Sequence, residues 1–231
     1  MTQITWLGHA AFELRFPTGE VLLMDPWLEG NPAYPKGYKL ERVDAISLSH
    51  AHFDHANDVL PLAKKFNPKI VAIFETASYF EKKGAKNTVA MNKGGTVDLG
   101  FVKLTMMHAL HSNAIKDGDQ LIYAGEAAGW VLTLPSGQRA YFAGDTALFS
   151  DMALIHELYA PELAFLPIGD HFTMGPEQAA HAARLLKVKR VIPMHYGTFP
   201  ALTGTPQQLA EKLPKEGVEV WALNAGQPVQ W

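Results

Sequence analysis

The chain carries the same strand-turn-strand passage twice, and this repetition restricts it to an α/β fold built from two similar halves. Phe12-Glu-Leu-Arg-Phe-Pro-Thr-Gly-Glu20 alternates apolar and polar side chains up to a Pro-Thr-Gly turn, and Trp130-Val-Leu-Thr-Leu-Pro-Ser-Gly-Gln138 follows the same plan. Such alternation marks a strand with one buried face. Each passage continues into an apolar strand that ends on an aspartate, Asp25 in the first copy and, two residues later in the pattern, Asp145 in the second. Further pieces repeat in the same order. Ala45-Ile-Ser-Leu48 precedes Ala51-His52-Phe53, and Ala164-Phe-Leu-Pro-Ile168 precedes Asp170-His171-Phe172. A helix and another strand follow in each copy, Lys69 to Ile73 or Arg190 to Met194. The order predicts one domain over 1–231 with pseudo-repeat halves of about 1–118 and 119–231. It also predicts a four-layer αβ/βα sandwich, two mixed sheets face to face with helices outside.

Local spacing fills in the elements between. Val59 to Phe66 has helical periodicity, Lys69 to Phe74 reads as a strand, and Thr76 to Lys83 reads as a helix stopped by Gly84. Strands are expected at Thr88 to Met91 and Phe101 to Met107, and helices at Ala147 to Tyr159 and Pro176 to Leu186.

Composition narrows the function. With 48% hydrophobic and 19% charged residues, the 231-residue chain is an ordinary globular protein rather than a disordered one. Its net charge of −3 argues against a nucleic acid partner, whose phosphates call for a basic excess. The absence of cysteine excludes disulfides, thiolate metal sites and thiol nucleophiles. Met1 to Phe12 lacks the basic-then-apolar pattern of a signal peptide. No run reaches the roughly 18 apolar residues of a membrane span. The expectation is a cytoplasmic protein without a membrane partner.

Ten histidines remain to be explained. Leu48-Ser-His-Ala-His-Phe-Asp-His55 follows a buried strand and enters a helix. Residues two apart in extended chain share a side, so His50 and His52 can face one metal ion. Asp54 and His55 fall where the chain turns into the helix and can face a second. Imidazole and carboxylate suit zinc and similar divalent ions. Two histidines do not close a site. His111, Asp145 and His195 all lie at strand ends, where a rigid sheet can aim them.

The run His50 to His55, a later lone histidine, Gly144-Asp145 and the late His195 resemble the metallo-β-lactamase-fold superfamily. Finer motifs are Trp6-Leu-Gly-His-Ala10, Met24-Asp-Pro-Trp27, Met91-Asn-Lys-Gly-Gly95, Leu166-Pro-Ile-Gly-Asp170 with Phe172-Thr-Met-Gly175, and Pro193-Met-His-Tyr-Gly197. These are similar to the small metal-dependent hydrolases related to ascorbate-6-phosphate lactonase. The resemblance implies that His50, His52 and His111 hold one ion, that Asp54, His55 and His195 hold the other, and that Asp145 bridges them. Asp25 matches an aspartate that orients a ligand histidine or its loop. His108 competes with His111, which is favoured because it lies past the strand, before Ser112-Asn113.

The expected cofactors are two divalent ions, zinc first, with manganese, iron and nickel as alternatives. Hydroxide between them would attack a small ester, lactone or phosphate ester without a covalent intermediate. The net positive centre favours an anionic small-molecule substrate. Three other readings share the pattern: a phosphodiesterase or nuclease, an iron redox enzyme, and a metal-stabilised scaffold without activity. Redox relatives tend to carry glutamate where this chain has His52. Self-association is left open.

Among the remaining candidates, His171 in Gly169 to Gly175 is a substrate contact or proton donor, with a loop-ordering hydrogen bond as the equal alternative; the same holds for Asp170. His9 either lines the site or is structural. His156 and His181 fall in helical stretches, where packing is the simpler role. The Pro-, Gly- and aromatic-rich stretch Asp25 to Lys39 reads as a lid.

Overall fold

The structure, a computed structural model, describes residues 1–213 and 217–231. Two compact units divide the chain. The first comprises Met1–Lys93, Ser112–Ala127 and Leu223–Trp231, and the second Gly94–His111 and Ala128–Ala222.

The first unit is built on a seven-stranded mixed sheet. Its spatial order is β16 (Pro228–Gln230), β1 (Gln3–Trp6), β2 (Phe12–Arg15), β3 (Val21–Met24), β4 (Ala45–Ser47), β5 (Lys69–Ile73) and β6 (Thr88–Met91). Neighbours from β16 to β3 are antiparallel, and those from β3 to β6 are parallel. β3 is apolar throughout because it is central and buried on both faces. Leu23, Ile46, Ile70 and Ala72 pack against helices α1 (Phe53–Ala56), α2 (Val59–Phe66) and α3 (Phe74–Lys82) through Ala56, Val59, Leu62, Ala77 and Phe80. A hairpin of β9 (Ala114–Asp117) and β10 (Gln120–Tyr123) adds Ile115 to this core.

The second unit repeats the plan. Its seven strands run β15 (Glu219–Val220), β14 (Arg190–Met194), β13 (Leu163–Pro167), β12 (Arg139–Phe142), β11 (Ala128–Thr133), β8 (Lys103–His108) and β7 (Thr96–Asp98). Read from β7, three antiparallel pairings are again followed by three parallel ones. Val131, Tyr141, Ala164, Leu166 and Val191 form a core with α4 (Met152–Tyr159), α5 (Pro176–Leu186) and α6 (Pro206–Lys212). The duplication read from the sequence therefore extends to whole sheets.

Most expected elements fall where the spacing puts them, and the differences have local causes. α3 starts at Phe74 directly after β5, with no turn residue between, so strand and helix share no punctuation. α4 starts at Met152 because Ala147 is held in a loop, its N–H donating to the Leu110 carbonyl at 3.1 Å. β16 has no counterpart in the sequence reading. It pairs Val229 with Ile4, and Thr2 and Trp231 exchange two backbone hydrogen bonds of 2.8 Å beyond it. Pro228 is tolerated because β16 is an edge strand.

Candidate metal centre

In the first unit, the donors gather where β3 and β4 end. Asp25 follows β3 in a left-handed conformation (φ 44°) that turns its side chain back toward the chain leaving β4. The carboxylate is wholly buried and accepts three hydrogen bonds: from Ser49 N–H at 2.7 Å, from Ser49 Oγ–H, and from His55 Nδ1 at 2.8 Å. Burial pushes the Asp25 carboxyl above its ordinary range, while the bonds from His55 and Ser49 pull it back.

This network sets two tautomers. A carboxylate only accepts, so Ser49 must give its single hydroxyl proton to Asp25. Its oxygen is then left to accept from His50 Nδ1 at 3.0 Å. His55 likewise spends its Nδ1 proton on Asp25. Both rings therefore turn an Nε2 lone pair away from the network. The Nε2 atom of His50 lies 2.9 Å from Nδ1 of His52. Two nitrogens on one tetrahedral zinc, at ~2.0–2.1 Å each, sit about 3.3 Å apart. The pair needs only slight opening to grip one cation. His55 Nε2 is 4.0 Å from Oδ2 of Asp54, so these two can share another. Oxygens of Asp25 also come within 4.8 Å of donors on His50 and His55. Asp25 is already bonded three times, which ties its oxygens to Ser49 and His55.

Asp54 has its own support. Wholly buried His9 donates from Nε2 to Asp54 Oδ2 at 3.1 Å, with Trp27 edge-on to its ring at 5.1 Å. The motif around His9 serves this placement. Trp6 Nε1 donates to the His9 carbonyl at 2.9 Å, and His9 itself is left-handed (φ 56°). Gly8 is required because a Cβ there would lie 2.8 Å from the Ala33 backbone. The stretch read as a lid is tied down: Asp58 accepts from the N–H groups of Leu28 at 2.7 Å and Glu29 at 3.2 Å, and Tyr38 donates to Glu13 at 3.0 Å.

In the second unit, Asp145 follows β12, and its Oδ2 lies 3.0 Å from Nε2 of His195 and 3.6 Å from Nε2 of His111. His195 leaves β14 in a left-handed conformation (φ 55°). Thr146 couples the loops that carry these donors. Its hydroxyl accepts from Leu110 N–H at 3.0 Å and donates to the Ala147 carbonyl at 2.7 Å. His111 is thus brought to Asp145, whereas the exposed His108 ends β8 with its ring against Phe149. Asp170 makes the loop-ordering bond, its Oδ1 accepting from His171 N–H at 2.8 Å, which leaves the His171 imidazole at the surface. His156 and His181 sit on α4 and α5.

Two residues escaped the sequence reading. Ser49 could have been suspected as a hydroxyl directly before His50 at the end of a buried strand. Asn113 is buried and holds the histidine-rich loop, accepting from Ala51 N–H at 2.8 Å while donating to the Ala124 carbonyl at 2.7 Å. Nothing local to Asn113 signals that task.

In each unit, then, imidazoles and carboxylates converge in the oxygen-and-nitrogen donor chemistry that divalent cations take. This is the site of a metal-dependent hydrolase on the metallo-β-lactamase fold, and a model of the beta-lactamase superfamily domain matches residues 21–196. The chain belongs to the UPF0173 metal-dependent hydrolase family of that superfamily. A member from Solibacter usitatus is 60% identical, covering 99% of this chain and 100% of its own. One from Rubrobacter xylanophilus is 48% identical, covering 95% and 91%. The solved structure of Igni18, a metallo hydrolase from Ignicoccus hospitalis, superposes with a TM-score of 0.87 at 33% identity, covering 99% of this chain and 97% of that one. Among the described residues, no helix is long and apolar enough to cross a membrane.

Proposed function

We propose that the chain hydrolyses a small ester, lactone or phosphate ester inside the cell, using two divalent cations, zinc first among them. His50, His52, Asp54, His55, His111, Asp145 and His195 would hold them. The observation that carries this reading is the relay from Asp25 through Ser49 to His50 and directly to His55. It fixes the ring tautomers that cation binding demands and has no evident use in a protein that binds none.

The chemistry a divalent cation would supply when held by these donors is a lowered pKa for water and polarisation of the bond to be broken. The chain's own residues supply the rest. Asp25 and Ser49 hold His50 and His55 in register. His9 holds Asp54. Asp54 and Asp145 are the carboxylates that take the proton of the attacking water. Two cations outweigh these two acids, which favours a small anionic substrate.

The test begins with metal-free protein reloaded with zinc or manganese and assayed against ester, lactone and phosphate ester panels. Elemental analysis should find two ions per chain, and chelation should abolish turnover. His52→Ala and Asp145→Ala should each lose activity together with bound metal. Full activity in either variant, or no hydrolysis by the loaded wild type, overturns the proposal.

A further inference from the structure

We propose that His171 is the proton donor to the leaving oxygen, and that the natural substrate is an ester or lactone of an unactivated alcohol. This rests on the hydrolase reading above.

The first ground is position. In the duplicated plan, β13 stands where β4 stands. His171 follows β13 as His52 follows β4, each before a phenylalanine. The loop that would carry a ligand in one unit thus carries an imidazole outside the ligand set in the other.

The second ground is attachment. The Gly169 to Gly175 loop is fastened to the loops bearing two of the donors. Met174 N–H donates to the Thr146 carbonyl at 3.1 Å, one residue past Asp145. Gly169 lies so close to His195 that a Cβ on it would come within 2.1 Å of the His195 carbonyl oxygen. His171 is therefore displayed at the same end of the same sheet as His111, Asp145 and His195.

The third ground is strain. Asp170 and His171 are consecutive left-handed residues without being glycine (φ 66° and 59°). Such strain persists only where surrounding structure enforces it, and it clusters at functional sites. Here the Asp170 carboxylate and the bond from Asp170 N–H to the Met174 carbonyl, 3.0 Å long, enforce it. The result is an exposed imidazole beside Phe172, whose ring is edge-on at 4.5 Å and 54% exposed. Among the described residues, no side chain hydrogen-bonds the His171 ring. An apolar plate next to an available proton donor suits an alcohol portion carrying hydrocarbon.

The step balances as follows. Water adds to the carbonyl carbon after yielding a proton to a carboxylate, and the bond from carbon to the leaving oxygen breaks. The freed electron pair takes the proton of the His171 imidazolium, releasing an alcohol. The imidazole regains a proton from solvent, and the carboxylate returns its own. One ester and one water become one acid and one alcohol. A phenolate leaves unaided, whereas an alkoxide does not, so the donor matters only for poor leaving groups.

The experiment compares wild type with His171→Asn, since asparagine accepts a left-handed backbone. Both are assayed on matched esters of one acid, with leaving groups from nitrophenol to a simple alkanol. The variant should lose about 100-fold in kcat/KM on the alkyl ester and roughly threefold or less on the nitrophenyl ester. Its rate should fall more steeply with leaving-group pKa. Bound metal by elemental analysis should match wild type, and nitrogen NMR of the wild-type ring should shift on adding the product alcohol. Equal losses across the series, or an unmoved ring signal, overturn the role of His171 and leave the hydrolase reading standing. Wild-type inactivity on the whole series removes the hydrolase reading and this proposal with it.

Discussion

The two units share one strand plan, yet they use the aspartate after the equivalent strand, β3 or β12, in opposite ways. Asp25 is wrapped in donors from Ser49 and His55, whereas Asp145 has ring nitrogens of His195 and His111 before one oxygen. The cause lies in the strand next door. β4 leads into Ser49, which offers an N–H and a hydroxyl, while β13 leads into Gly169, which has no side chain to offer. At a duplicated position the carboxylate is saturated or left facing imidazoles according to what the neighbouring strand end can donate.

This contrast can be broken at several points. Replacing Asp145 with alanine should have the largest effect, removing turnover below detection and at least one bound ion. Asp25→Asn should cost about 10–100-fold in metal affinity or activity, because one of the two accepting oxygens becomes an NH2 group that meets a donor from Ser49 or His55. Parallel metal titrations of the two variants check the ranking; equal losses would erase the distinction. Ser49→Ala cuts only the arm to His50 and should fall near the lower end, about tenfold. Metal competition assays, with Asp25→Asn alongside, show whether the two losses arise from one relay. The smallest effect belongs to Thr205, which caps α6 in the second unit by accepting from Gln208 N–H at 3.2 Å. Thr205→Ala should lower stability by about 1 kcal/mol with metal binding unchanged, as read by thermal unfolding and titration.

Much of this plan is visible in the sequence because local chemistry writes it there. The alternation in Phe12 to Phe16 and the apolar run Val21 to Met24 report burial directly, and the run His50 to His55 reports its chemistry by composition. What stays hidden depends on contact between distant residues. Ser49 meets an aspartate on another strand, and Asn113 meets Ala51 across a long stretch of chain. Periodicity carries no record of such meetings. β16 is hidden for another reason: three residues led by a proline carry too little pattern to read as a strand, and only pairing with β1 makes them one.

That last pairing bears on how the protein is made. The first unit's sheet is begun by residues 3–6 and finished by residues 228–230, with all of the second unit translated in between. On the ribosome the second unit has all its strands available first, while the earlier-synthesised one waits with β1 as a bare edge. For that interval the outer N–H and C=O groups of β1 have no strand partner, and they gain one only when residues 228–230 arrive.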